Sequence, residues 1–100
     1  MKPNNTSQIW YVYMVRCTDR TLYTGIAKDL VKRMGEHNSG MGAKYTRGRT
    51  PVELVFVESA NSQGEALRRE YQIKQMSRDQ KLRIIEGFSS DSKRTDPGHF

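Results

Sequence analysis

Residues 9–26, IWYVYMVRCTDRTLYTGI, decide the fold. The run 9–16 is dense in β-branched and aromatic residues and too short for a helix, so it reads as a strand within a sheet. Side chains alternate across a strand, which puts Tyr11, Tyr13 and Val15 on one face and Trp10, Val12 and Met14 on the other. The polar stretch 17–21, CTDRT, makes a reverse turn, and 22–26 returns as an antiparallel strand. Tyr13 and Tyr23 then stand on adjacent strands, with their rings close on one face. Gly25 sacrifices propensity and side-chain packing, which marks a bulge or the close approach of another group.

Outward from this hairpin, Leu30, Val31 and Met34 recur at helical spacing, predicting a short amphipathic helix from Asp29 to about Asn38, closed by NSGMG. Residues 39–51, rich in Gly, Lys and Arg and without periodicity, read as a mobile basic loop. The apolar run 52–57, VELVFV, reads as a third, central strand. Ser62 and Glu65 have capping-box spacing before a helix with Ala66, Leu67, Ile73 and Met76 as its apolar stripe. Ser77 and Gln80 repeat the device ahead of a shorter helix with Leu82, Ile84 and Ile85, closed by Gly87. The expected fold is α/β in the broad sense (α+β): a small, mainly antiparallel three-stranded sheet flanked by helices, ordered β-β-α-β-α-α. Residues 9–87 form the domain, between a disordered N-terminus (1–8) and a polar, disordered tail (88–100).

One hundred residues support one modest core, so function must sit on one small surface. A net charge of +6 and a pI near 9.7 favour a polyanionic partner, nucleic acid or anionic lipid. No stretch is apolar enough for a membrane span or a signal peptide, so the expectation is a cytoplasmic protein without a membrane partner. The single cysteine, Cys17, excludes an internal disulfide and a thiolate metal cluster.

Four sets of residues carry chemistry. Arg33 and His37, four apart, share a helix face: a guanidinium suits two oxygens of a scissile phosphate, and an imidazole can shuttle a proton. Glu70 lies in or beside the apolar stripe of its helix, where a carboxylate is expensive unless paired or metal-bound. Lys74 at i+4 offers an ion pair; a lone carboxylate completed by waters and phosphate would suit Mg²⁺ (or Mn²⁺) better than Zn²⁺. Tyr13 and Tyr23 are either cross-strand packing or, with a phenol pKa lowered by a nearby cation, acceptors for a water proton. Lys44, Arg47 and Arg49, with Tyr45 among them, are placed to grip a nucleic-acid backbone, unless they form a merely solvated loop.

Together these residues resemble the GIY-YIG nuclease family, and more narrowly its small stand-alone bacterial members (UPF0213-like). Tyr11-Val12-Tyr13 stands at the first tripeptide and Tyr23-Thr24-Gly25 at the second; Arg33 follows within GIAKDLVKRMGEH, His37 comes four positions later, and Glu70 falls within EALRREYQIK. The likeness spans roughly 9–85. Two departures are visible: Tyr11 replaces the first glycine, and no late asparagine follows the Glu70 helix. The resemblance implies a metal-dependent endonuclease with one divalent cation on Glu70, Arg33 on the scissile phosphate, and Tyr23, with Tyr13 nearby, positioning or deprotonating water, His37 sharing that work. It implies a nucleic-acid partner, DNA in preference to RNA, recognised by structure or with weak sequence specificity, gripped by Lys44, Arg47, Arg49 and Lys74, and a role in DNA repair. The alternatives are a non-catalytic nucleic-acid-binding module and an adaptor docking through its last helix.

Overall fold

The computed structural model describes residues 9–94, with side chains through residue 90. Strands β1 (Trp10–Arg16), β2 (Leu22–Ala27) and β3 (Glu53–Ala60) make one antiparallel sheet in the order β2-β1-β3. Helix α1 (Leu30–Asn38) follows β2, and α2 (Gln63–Lys74) and α3 (Arg78–Arg94) follow β3, giving the expected α+β order.

β1, not β3, is the central strand. A strand paired on both edges and covered on both faces needs apolar side chains in succession. β1 has them, burying Val12, Tyr13, Met14 and Val15 completely. β3 begins on exposed Glu53 and Leu54 and runs out through Glu58 and Ser59, so only its middle is covered.

The alternation along β1 sorts the core into two halves. Val12 and Met14 point to one face, where Phe56 of β3, Ala66 and Ile73 of α2 and Ile85 of α3 close over them. Fully burying Val12, Met14 and Ile73 contributes on the order of 1.5–3 kcal/mol each. Tyr13 and Val15 point to the other face, under Leu30 and Met34 of α1 and Val52. The buried stripe of α1 is therefore Leu30, Met34 and His37; Val31, expected to pack, is 84% exposed. On α2 the stripe is Ala66, Glu70 and Ile73, and Leu67 is half exposed.

The helix starts follow their caps. The Asp29 side chain accepts from the Lys32 N–H, Ser62 from the Glu65 N–H, and Ser77 and Gln80 exchange two reciprocal bonds. The expected stop at Gly87 is corrected, since α3 continues to Arg94. Among the described glycines only Gly40 and Gly48 have positive φ, so Gly87 does not take the left-handed turn that would end a helix. Continuing also seats Phe88 edge-on against Phe56, with centroids 5.8 Å apart. Of the tail expected to be disordered, 88–100, residues 88–94 are therefore helical instead, because Phe88 packs on the core, while 95–100 and the N-terminal segment 1–8 lie outside the described residues. No described helix is long and apolar enough to cross a membrane.

Candidate active site

The site forms where α1 and the loop before β3 press on the polar face of the hairpin. Tyr13, at the middle of β1, pairs with Gly25 of β2, and the missing side chain is what admits its ring: a Cβ on Gly25 would lie 2.7 Å from the Tyr13 hydroxyl and 3.1 Å from the Tyr23 ring. Gly25 thus marks close approach, the second of the two readings its position allowed. The rings of Tyr13, Tyr23 and His37 gather with centroids 5.6–6.4 Å apart.

Hydrogen bonds fix the direction of the protons between Thr46, His37 and Tyr13. The Thr46 hydroxyl donates to the Ala43 carbonyl at 2.9 Å, so its oxygen meets His37 Nδ1, 2.8 Å away, as an acceptor. His37 therefore carries its hydrogen on Nδ1, leaving the Nε2 lone pair to accept from the Tyr13 hydroxyl at 2.8 Å. The Tyr13 oxygen in turn accepts a long 3.4 Å contact from Arg33 Nε. Arg33 Nη1 donates to Glu36 at 2.9 Å, and Arg33 retains Nη2 for other acceptors.

Burial sets the charge states. His37 is completely buried, and desolvation, reinforced by the Arg33 charge and opposed by Glu36, lowers its pKa. It stands as a neutral imidazole at neutral pH. Burial likewise raises the Tyr13 phenol, and the opposing pull of Arg33 does not overcome it. The expectation of a cation-lowered tyrosine is thus reversed at Tyr13: it is a neutral hydrogen-bond relay. Arg33, bonded to Tyr13 and Glu36, is held still more firmly protonated. Tyr23 is the partly exposed member of the three rings.

Glu70 comes from α2, which packs against β1 and β2. Its side chain is 17% exposed, and its charge acts on the Tyr13 phenol. Lys74 Nζ lies 3.1 Å from Glu70 Oε2, the i+4 pair the spacing offers. Among the described residues no three acidic, His or Cys side chains cluster as a metal cage. That donor set does not fit Zn²⁺, which wants several protein ligands; a lone carboxylate is compatible with Mg²⁺, which keeps several waters and takes phosphate oxygens.

The basic loop is more committed than its composition implies. Residues 44–46 form a 3₁₀ turn, and Gly42 and Thr46 are buried. A Cβ on Gly42 would come within 2.7 Å of the His37 Cα and closer still to Nδ1, so the chain lies flat on the histidine. Arg49 donates to Asp19 at 2.8 Å and to the Tyr45 carbonyl, and its guanidinium lies 4.4 Å from the Tyr45 ring centre. Tyr45 stacks on Tyr23, with centroids 5.8 Å apart. Of the four expected gripping residues, Lys44 and Arg47 are exposed, while Arg49 and Lys74 hold Asp19 and Glu70.

Thr46, Gly42 and Glu36 escaped the sequence reading. A hydroxyl and a glycine inside a Gly/Lys/Arg loop carry no periodicity; Glu36, three residues from Arg33, was legible as an i,i+3 partner. A cavity of about 530 Å³ between β3 and α3 is lined by residues such as Leu54, Leu82 and Phe88 and shares none with the site.

Comparison with known proteins gives the family and the fold. The model of the GIY-YIG catalytic domain matches residues 9–93. A UPF0213 protein of Staphylococcus saprophyticus is 55% identical over 75 residues, 75% of this chain and 92% of its own; one from Halobacterium salinarum is 59% identical over 71 residues, 71% of this chain and 92% of its own. The solution structure of a UPF0213 protein from Bacillus halodurans superposes with a TM-score of 0.52 at 44% identity, covering 78% of this chain and 83% of that one. A protein of E. faecalis gives 0.57 at 34% identity, covering 82% and 88%. With the two tyrosine strands, the arginine helix and the glutamate helix where that domain's match runs, the chain belongs to the GIY-YIG family.

Proposed function

We propose that this protein is a metal-dependent endonuclease that hydrolyses nucleic-acid phosphodiesters, DNA before RNA, with little sequence specificity. The observation that carries the reading is convergence: Arg33, Tyr13 and His37 share one hydrogen-bonded chain beside Tyr23, and the Glu70 charge is felt at the same phenol. In hydrolysis a water oxygen bonds to phosphorus as the bond to the departing oxygen breaks, so the site must hold the phosphate and accept a proton.

Arg33 has donors to spare for phosphate oxygens, and moving onto the phosphate would give up its long contact to Tyr13. That uncovers a lone pair on the Tyr13 oxygen. A proton arriving there is matched by the Tyr13 proton passing to His37 Nε2, so the phenol and imidazole act together as the base. Tyr23, partly exposed, orients the water. Glu70 would hold a Mg²⁺ or Mn²⁺ ion, whose charge neutralises the phosphate and the departing oxyanion. The family membership supports the nuclease class; repair of DNA in the cytoplasm is the setting that suits such an activity.

The test is cleavage of flapped, branched, single-stranded and duplex DNA, and of RNA, with Mg²⁺, Mn²⁺ or EDTA. We expect cleavage that EDTA abolishes and that Glu70→Ala reduces by at least about a hundredfold. Cleavage indifferent to both would overturn the mechanism. One observation favours a second reading, a binding module: Glu70 and Arg33 already have internal partners in Lys74 and Glu36. In that case binding persists in Glu70→Ala and no substrate is cut.

A further inference from the structure

Two clefts flank the catalytic cluster, one sharing Arg33 with it and the other meeting it through the Tyr45 ring. One, of about 290 Å³, includes Arg33 together with Trp10, Lys28 and Lys32. The other, of about 210 Å³, is lined by Tyr45, Arg78 and Lys81 over Thr21 and Leu22. Arg33 reaches Tyr13 from the first, and Tyr45 stacks on Tyr23 from the second. We propose that the two clefts are the ends of a single-strand track, with the scissile phosphate between them; this rests on the nuclease reading and names where its substrate lies.

The spacing supports one continuous ligand. The first cleft touches β2 at Ala27 and the second at Leu22, five residues apart and so roughly 17 Å along the strand; the two side chains lie on opposite faces, so the track follows the outer edge of β2, the end strand of the sheet. At about 3.4 Å per stacked nucleotide that is a segment of about five nucleotides. Both clefts pair cations with an aromatic ring, a combination that tracks a sugar-phosphate backbone whatever the bases; the Tyr45 ring is already engaged by Arg49 and Tyr23, so the second cleft acts through its cations. Lys28 Nζ lies over the Trp10 ring at 5.8 Å.

The clefts differ in charge. The first carries Asp29 and Glu36 beside its three cations, but Asp29 caps α1 and Glu36 binds Arg33. The second has two cations and no acidic lining residue, and neither Arg78 nor Lys81 forms an ion pair among the described residues. Arg78 is aimed by its bond to the Arg20 carbonyl, 3.0 Å. The nearby Asp19 is neutralised by Arg49. The second cleft is therefore the stronger phosphate site.

The experiment uses the full chain, with EDTA to prevent turnover, and fluorescein-labelled oligothymidylates of 2 to 12 nucleotides. Affinity should rise with length up to about five or six nucleotides and then level off. The double variant Arg78→Gln/Lys81→Gln should weaken 12-mer binding on the order of tenfold near 0.1 M salt and reduce the slope of log affinity against log salt by about 1.4, two phosphate contacts' worth. Arg78→Lys, which keeps the charge, should retain the wild-type slope. A double variant with unchanged slope, or affinity that levels off at two nucleotides, overturns the track while leaving the nuclease reading standing. Absence of any wild-type binding, with Mn²⁺ as well as EDTA, overturns the nucleic-acid reading itself.

Discussion

The two faces of the sheet are built on opposite principles. Under α2 and α3, Val12, Met14, Phe56, Ala66 and Ile73 meet by shape alone. Under α1 and the 44–46 turn, Tyr13, His37 and Thr46 are equally shielded, yet they meet by hydrogen bonds of defined direction. The described residues leave no buried side-chain polar atom without a partner, so the polar face carries no uncompensated desolvation. The difference teaches that burial serves two ends here: the dry face supplies stability, and the wet-chemistry face spends its enclosure on fixing protonation states and aiming one guanidinium.

Removing one residue from each face should separate the two most sharply. Ile73→Ala deletes fully buried methylenes and should destabilise the protein by about 2–5 kcal/mol in urea unfolding, enough to threaten a 100-residue domain. Arg33→Ala should cost a similar free energy, about 2.7–4 kcal/mol, but in the cleavage barrier, read as a fall of 10²–10³ in kcat. Its melting temperature should hardly move. Arg33→Ala with wild-type cleavage, or Ile73→Ala with wild-type stability, would erase the division.

That division was only half legible in the sequence. The β1 alternation gave the two faces correctly, and four residues singled out by spacing, Tyr13, Tyr23, Arg33 and His37, stand together in the structure. Register and centrality were not legible: the run 52–57 is as apolar as β1, and only the unfavourable flanks, Glu53 and Glu58, distinguish an edge. Gly87 misled because glycine in a helix differs from glycine ending one by φ alone. Thr46 was invisible because its role depends on a contact with His37 across a non-periodic loop. Arg49 was read by charge type, and its partner Asp19, thirty residues away, is a property of the fold, whereas the Lys74–Glu70 pair was legible at i,i+4.

Breaking the buried relay at its far end should have a smaller effect. Thr46→Val keeps the volume but leaves the His37 Nδ1–H without an acceptor, at a cost of about 1–3 kcal/mol, and Thr46→Ser should recover most of it. The same face should give stability its pH dependence. His37 has a lowered pKa, so in acid the unfolded chain binds the proton first; its contribution is present above about pH 6.5 and is lost as pH falls. Tyr13, raised, contributes below about pH 10 and loses that contribution as pH climbs further. His37→Gln should flatten the acid limb between about pH 7 and 5 in denaturant titrations. An unchanged acid limb would mean that the imidazole is not held neutral, and the proton assignment of the cluster would fail with it.

The smallest effect bears on whether Glu70 belongs to the dry face or to the catalytic one. By position it is a stripe residue of α2 between Ala66 and Ile73; by charge it is part of the site. Lys74 decides what a divalent cation meets there, because its ammonium already sits 3.1 Å from a Glu70 oxygen while remaining 49% exposed. An ion must displace it, and a half-exposed i,i+4 pair is worth only a few tenths of a kcal/mol. Lys74→Ala should therefore change stability by less than about 0.5 kcal/mol and tighten Mn²⁺ binding about twofold, measured by titration against the Mn²⁺ electron paramagnetic resonance signal. If Glu70 is instead a structural carboxylate serving only its helix, Mn²⁺ binding will be the same in Lys74→Ala, Glu70→Ala and the wild type. A twofold tightening in the first and a loss in the second would place the carboxylate with the arginine and the tyrosines, whichever face its helix covers.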